Sequence, residues 1–304
     1  MNKYLPEGMM THAKGGKDTY SLGEIKAAHK SGKILESLVT LCDSEHNLHV
    51  NLGCMKGIIP RIHGALGIED GSVRDIALIS RVNKSVCFKI IGFENDAGET
   101  RAILSRRDVQ QECKNEYIAS LEQGQVIPAR VTHLEKFGAF VDIGAGINAL
   151  IPIDMISVSR ISHPCERFDE NEDILAVVRS IDNGRITLSQ RELLGTWEEN
   201  ADMFRVGETV PGIIRSVESY GIFVELAPNL AGLAEYVPNI FPGQNASVYI
   251  KSISPEKMKI KLVIVNAFSA EKQRSEKKYF IRDGKIDNWR YSPEGCIKLI
   301  ETKF

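Results

Sequence analysis

The stretch from Lys136 to Gly144 reads KFGAFVDIG. It has the texture of a short strand carrying two aromatic residues, Phe137 and Phe140, around Gly138. The pattern recurs from Ser219 to Leu226 as SYGIFVEL. There Tyr220 takes the place of Phe137, Gly221 of Gly138 and Phe223 of Phe140, each 83 positions further on. A repeat this close says that the chain is an array of small β modules. A second repeat marks where modules end: RAILSRR from Arg101 to Arg107 and RITLSQR from Arg185 to Arg191. In both, a serine (Ser105, Ser189) precedes a carboxylate (Asp108, Glu192) by three residues, which is a helix start.

Working outward, a chain of 304 residues has room for two or three domains. Hydrophobic residues make up 43% and charged residues 26%, enough to build real cores. The net charge is −2, so no global basic footprint points to nucleic acid, and any such function must rest on local features. The six cysteines, Cys42, Cys54, Cys87, Cys113, Cys165 and Cys296, lack paired spacing and read as reduced thiols of a cytoplasmic protein. The N-terminus MNKYLPEGMMTHAKGG has no apolar core for a secretory signal, and no apolar run approaches a membrane span, so no membrane partner is expected.

In chain order, residues 1–31 read as a poorly ordered polar arm followed by a helix, with Ser21 and Glu24 at capping-box spacing and Gly32 as the stop. Residues 32–107 are rich in Val and Ile and broken by turn residues at Asp70-Gly71 and Asp96-Ala97-Gly98, the texture of a divergent β module. A helical linker is expected at 108–123, a second module at 124–192, and a second linker at 193–206, restarting at Thr196 and Glu199. The third module is 207–266. The tail, 267–304, centres on YFIRDGKI (Tyr279 to Ile286), which reads as a hairpin with Asp-Gly at its turn. Trp289 and Tyr291 follow and are expected to cap the third module.

The composite pattern Gly-x-Val, Phe-Gly-(Ala/Ile)-Phe-Val-(Asp/Glu), Gly-Leu, Arg-Ile-x-Leu-Ser resembles the S-one (S1) RNA-binding domain, the repeat of the ribosomal protein S-one family. It covers modules two and three well and module one loosely. The whole resembles the short Firmicutes-type S-one-like proteins. The resemblance implies a mostly β chain of three tandem five-stranded OB-fold barrels joined by short helices. It implies single-stranded RNA, mRNA or rRNA, as ligand on the face of strands two and three. It further implies action in translation on mRNA or at the small ribosomal subunit, without catalysis or cofactor. The alternative is an OB-fold protein-interaction scaffold with little RNA affinity.

Single-stranded nucleic acid needs aromatic platforms for bases and cations for the backbone. Phe137 and Phe140, with Lys136 beside them, and Tyr220 and Phe223 supply the platforms. In a regular strand 137 and 140 would face opposite sides, so a bulge at Gly138 is expected to turn both outward. On the closing strand Ile186 and Leu188 share one face and Arg185 and Thr187 the other. In module three Ile260 and Leu262 point inward while Lys257, Lys259 and Lys261 line the outside, a stripe able to neutralise phosphates. A solvated charged face is the default for lysines, but the position of the stripe beside the expected aromatic face favours the phosphate reading. Arg179, Lys251 and Tyr249, on the preceding strand, are expected to join the same face. By the resemblance Asp182 is an RNA-contacting polar position.

Module one replaces the aromatic pair. Aligning Val50-Asn-Leu-Gly53 with Val141-Asp-Ile-Gly144 puts His49 at Phe140 and His46 at Phe137. These could stack on bases, sit on the surface without a role, or join Cys42 and Cys54 in a zinc site, although no Cys-x-x-Cys spacing supports the last. Two departures weaken RNA binding: where the family often carries a histidine, this chain has Pro152 and Glu235, with Pro60 in module one. Module two holds seven basic and ten acidic residues and module three five of each. No phosphate loop, His-Glu-x-x-His or nucleophile elbow is present. The acidic run Asp169, Glu170, Glu172, Asp173 reads as a solvated turn rather than a nuclease metal site.

Overall fold

A computed structural model describes residues 3–12, 18–96, 98–182, 184–269 and 277–304. The β-strands β1 (Leu35–Cys42), β2 (Leu48–Asn51), β3 (Lys56–Ile59), β4 (Ser85–Asp96) and β5 (Glu99–Ser105) close into a ring in the order β1-β2-β3-β5-β4. The next five are β6 (Val126–Glu135), β7 (Gly138–Asp142), β8 (Asn148–Pro152), β9 (Asp173–Asp182) and β10 (Arg185–Ser189), again a closed ring. A third ring holds β11 (Thr209–Glu218), β12 (Gly221–Ala227), β13 (Leu230–Ala234), β14 (Asn245–Ser254) and β15 (Lys259–Phe268). Inward positions alternate along each strand, so that Val131, Ala139, Val141, Ile151, Ile186 and Leu188 fill the second barrel while their neighbours face out.

Most local signals behave as the sequence predicts, but Ser189 caps no helix: only a 3-10 turn, Arg191–Leu194, follows it, without a side-chain cap bond. Ser21 and Glu24 form a capping box on the helix Leu22–Ser31, which Gly32 ends in the left-handed conformation at φ 64°. Ser105 accepts the Asp108 N–H at the start of the helix Arg106–Glu112. Thr196 and Glu199 form the capping box of Trp197–Ala201. Module one also contains two single-turn helices, Arg61–Gly64 and Ile76–Ile79, which its β texture does not announce. The turn at Asp96-Ala97-Gly98 has its centre, Ala97, outside the described residues. Among the described residues no helix is long and apolar enough to cross a membrane.

Two expectations fail. The described part of the N-terminal arm is not loose. Tyr4 and Glu7 are buried, and Glu7 lies against the fifth strand's exit from module one and the second strand of module two. Its carboxylate takes both Nε (2.6 Å) and NH2 (2.9 Å) of Arg106, while its N–H donates to Asp142 Oδ2 at 2.7 Å. Its carbonyl accepts from Arg130, which also pairs with Asp173. A buried ion pair on an otherwise polar arm is what ties it down.

The tail, too, differs. No hairpin forms over Tyr279–Ile286. Instead the segment runs along module two, with Val126 N–H donating to Gly284 O and Ile286 N–H to Gly124 O, both at 2.9 Å. The two-stranded sheet pairs β16 (Asn288–Arg290) with β17 (Glu301–Lys303). Asp283-Gly284 turns the chain, but its flanking residues find better partners on module two than on each other. Trp289 and Tyr291 are buried with Trp197 and the third barrel's core, so they cap it as expected.

Glu7 and Asp142 form a coupled pair of carboxylates. Burial opposes the Glu7 charge, but the Arg106 guanidinium outweighs it and holds Glu7 below the usual range. Burial, reinforced by the Glu7 charge, pushes Asp142 up to about 7. Removing one partner of a buried ion pair strands the other, so Glu7→Ala should cost about 3–5 kcal/mol in urea unfolding. A carboxyl whose folded pKa is raised stabilises the fold while protonated and loses that contribution as pH rises through the folded value. The urea midpoint should therefore fall as pH rises from the ordinary carboxyl value of 3.8 to about 7 and level off above it, and Asp142→Asn should remove most of that slope.

Candidate nucleic-acid interface

The hydrogen-bond register aligns the three barrels residue by residue. In module two one outward row reads His133, Phe140, Leu150, Thr187, Ser180. In module three it reads Ser216, Phe223, Leu233, Lys261, Ser252. In module one it reads Leu41, His49, Ile58, Ile103, Gly92. The first strand of each barrel skips one residue beside this row (Thr40, Thr132, Arg215), and so does the fourth (Ile91, Arg179, Lys251). Placing His49 level with Phe140 and Phe223 agrees with this register.

The bulge therefore lies opposite the aromatic strand and not at Gly138. Phe137 occupies the two-residue turn between β6 and β7, and Phe140 is a regular outward strand residue. The turn frees Phe137 from strand alternation, so both rings reach one surface. Their centroids are 6.0 Å apart at 89°. Tyr220 and Phe223 repeat this at 6.2 Å and 86°. Phe137 is 55% and Tyr220 68% exposed, which a core role would not permit. Edge-to-face packing fixes each pair and leaves a face open. The glycine is needed because a Cβ at Gly138 would lie 2.4 Å from Ile151 O, and at Gly221 2.6 Å from Ala234 O.

The cations divide. Lys259 and Lys261 lie outward on β15, and Lys261 is in the row beside Leu233. Lys251 is exposed at the β14 bulge, and Tyr249 is exposed opposite Val263. Arg185 is exposed and pairs in register with Asp182, and Lys136 is exposed in the turn. Lys257 is not on the strand. It closes a 3-10 turn, Pro255–Lys257, and Met258 with φ 46° reverses the chain before β15 begins. Arg179, at the β9 bulge, is turned toward the tail: its NH1 donates to Lys303 O at 2.8 Å and its guanidinium sits 5.5 Å from the Phe304 ring.

In module one the row is apolar, with Leu41 exposed and Ile58 and Ile103 partly so. His49 Nε2 lies 2.8 Å from Asp43 Oδ2, and that bond, with those of Asn47, draws Asp43 down to about 2 against the effect of its burial. His46 sits in the turn with φ 63° and its Nδ1 4.0 Å from Asp75. The zinc arrangement with Cys42 and Cys54 does not assemble, and among the described residues no three metal-ligating side chains converge. The acidic run of module two is likewise dispersed: Glu170 meets His133, Glu172 meets Lys277 and Asp173 meets Arg130.

The sequence reading missed the residues that join the modules. The acidic residue two places after the central aromatic, Asp142 in one repeat and Glu225 in the other, faces a joint. Glu225 binds Arg215 Nε at 2.7 Å and Arg167 NH2 at 2.5 Å, and Arg215 also pairs with Glu166. Asn229, fully buried, accepts from Val158 N–H and donates to the carbonyls of Arg191 and Gly195. The signal was present as Val-Asp and Val-Glu at the same repeat position. The arginines come from elsewhere in the chain and carry no repeat spacing.

Comparison with known proteins adds three relatives and a family. The family model for the S1 RNA binding domain matches residues 120–191. The small ribosomal subunit protein bS1 homolog of Bacillus subtilis (strain 168) is 36% identical over 157 residues, 49% of this chain and 41% of the relative. Small ribosomal subunit protein bS1 of Staphylococcus aureus (strain COL) is 31% identical over 217 residues, 64% of this chain and 55% of the relative. The bS1 homolog of Bacillus cereus (strain ATCC 10987 / NRS 248) is 31% identical over 264 residues, 81% of this chain and 66% of the relative. The chain spans about half the length of the first two.

Because the added methyl meets backbone oxygen rather than a flexible side chain, Gly138→Ala should force β7 away from β8. The expected cost is about 1–3 kcal/mol in thermal or urea unfolding, with Gly221→Ala acting alike on module three. Substituting exposed Gly184, which has open space around it, by Asn should leave stability within about 0.5 kcal/mol.

Proposed function

Since the chain is a ribosomal protein S1-like family member, we propose that it is a non-catalytic single-stranded RNA-binding protein of the cytoplasm. It acts in translation, on mRNA or at the small ribosomal subunit, the particle for which its bS1 relatives are named. Its modules are three tandem S1-type OB barrels at 32–107, 124–192 and 207–266, with linkers at 108–123 and 193–206. The observation that carries the reading is the recurrence of an open, edge-to-face aromatic pair at the same register in two barrels.

Each pair offers platforms for bases, worth about 1–3 kcal/mol per base. Lys136, Arg185 and Asp182 flank the pair in module two, and Lys251, Lys259, Lys261 and Tyr249 flank it in module three. Lys257 contributes from the turn before β15. With so few cations, one module alone binds weakly after ordering costs are subtracted, and two on one chain gain by linkage. Module one supports a second reading for its own face. With Leu41, Ile58 and Ile103 in the row and His49 held by Asp43, that face suits protein contact better than RNA, and His46 and His49 serve as minor contacts.

Fluorescence anisotropy with an unstructured oligoribonucleotide tests the reading. Phe137→Ala/Phe140→Ala and Tyr220→Ala/Phe223→Ala should each weaken binding about tenfold or more, and combining them should abolish it. Raising salt should weaken binding with a shallow slope, reflecting few phosphate contacts. Full binding by the combined variant would sink the proposal and favour a scaffold.

A further inference from the structure

We propose that His133 is an RNA contact on module two and that its protonation governs how well that module holds RNA. The inference rests on the function proposed above and goes beyond it. His133 stands directly across the β6–β7 pair from Phe140, and the skipped residue Thr132 turns it onto the platform row. Its side chain is 57% exposed.

The geometry around the ring is that of an imidazolium. Nε2 lies 3.0 Å from Glu135 Oε1 and Nδ1 3.2 Å from Glu170 Oε1. A neutral imidazole has one N–H donor and one acceptor nitrogen, whereas both nitrogens here face carboxylate acceptors. Only the protonated ring satisfies both. The hydrogen bonds of Glu135 and then Glu170 raise its proton affinity above the ordinary value. The other charged groups nearby are Lys136, in the turn beyond Glu135, Asp169 and Glu172 in the loop that carries Glu170, and Asp173 at the start of β9. Glu172 and Asp173 are occupied by Lys277 and Arg130.

When His133 is charged, the platform carries a cation close to Phe140 and the two glutamates are partly neutralised. When it loses its proton, two carboxylates remain beside the platform, where an RNA backbone would be repelled. Thr187 in the same row offers no replacement charge.

Module three lacks this device. Its row holds Ser216 in place of His133 and Lys261 in place of Thr187. The neighbouring loop is anchored identically in both barrels, Asn171 N–H to Val131 O and Gly243 N–H to Ile214 O, each at 2.8 Å. That correspondence sets Phe241-Pro242 where module two has Asp169-Glu170. Phe241 is exposed, so the loop presents an aromatic ring instead of a carboxylate. Module three should therefore bind RNA independently of pH in the range where module two responds.

The test uses full-length variants and an unstructured oligoribonucleotide between about pH 6 and pH 8.5. Tyr220→Ala/Phe223→Ala leaves module two as the reporter, and its affinity should fall about three- to fivefold as pH rises, the size of one solvated ionic contact. Adding His133→Gln should flatten that profile at the weaker level, and adding Glu170→Gln instead should reduce the loss at high pH. Phe137→Ala/Phe140→Ala, reporting module three, should show a flat profile. A pH slope that survives His133→Gln overturns the proposal, as does a module-two reporter that binds at no pH. If the aromatic substitutions weaken binding while His133→Gln changes nothing, this inference fails and RNA binding by the platforms stands.

Discussion

A buried carboxylate at the end of the second strand is the constraint on which the arrangement of modules depends. Asp142 and Glu225 occupy the same place in successive repeats, two residues beyond the central aromatic. A charge withdrawn from water costs several kcal/mol unless it is paired and hydrogen-bonded. Asp142 is met by the backbone N–H groups of Glu7, Gly144 and Gly146, with the Glu7–Arg106 pair beside it. Glu225 is met by Arg167 and Arg215. In both joints the neutralising groups include residues outside the barrel that owns the carboxylate. Separating neighbouring modules would break the Glu7–Asp142 hydrogen bond in one joint and the Arg167–Glu225 ion pair in the other, so these contacts favour one geometry at each joint.

The same strand thus serves two ends. Near its start it presents an aromatic ring outward; near its finish it plugs a joint. The bulges in the first and fourth strands flank the equivalent outward row in all three barrels and curve the sheet there, as bulges do. What varies is the chemistry hung on a constant frame. Module three carries lysines, module two a histidine between glutamates, and module one aliphatic side chains. Under the RNA-binding function proposed above, repetition along one chain would raise the effective concentration of the second platform for a ligand held by the first.

The two ends of the chain reinforce the joints over long sequence separations. Glu7 reaches Arg106 and Asp142, and Tyr291 donates to Asn229 O, with Trp289 and Trp197 in the same apolar cluster. The tail also engages Arg179, which removes from module two a cation whose counterpart in module three, Lys251, stands exposed. Segments that look like polar appendages by composition are held by a few strong, distant contacts.

Repeats and short-range signals determined the β modules, most helix caps and the exposed aromatics. Each of these depends on residues within a few positions of one another: Gly138 with its turn, Ser105 with Asp108, Ile186 alternating with Thr187. Even the alignment of His49 with Phe140 was available from spacing alone. The tertiary structure decided the rest. That Glu7 anchors the arm, that Asp283-Gly284 turns the tail along module two rather than into a hairpin, and that Arg179 faces Phe304 all depend on partners 99 or more residues away. The position of Lys257 was local but hinged on a left-handed residue, Met258, that no glycine announced. Local propensity is written in neighbouring residues, whereas the pairing of buried charges is settled only when distant segments meet and water is excluded.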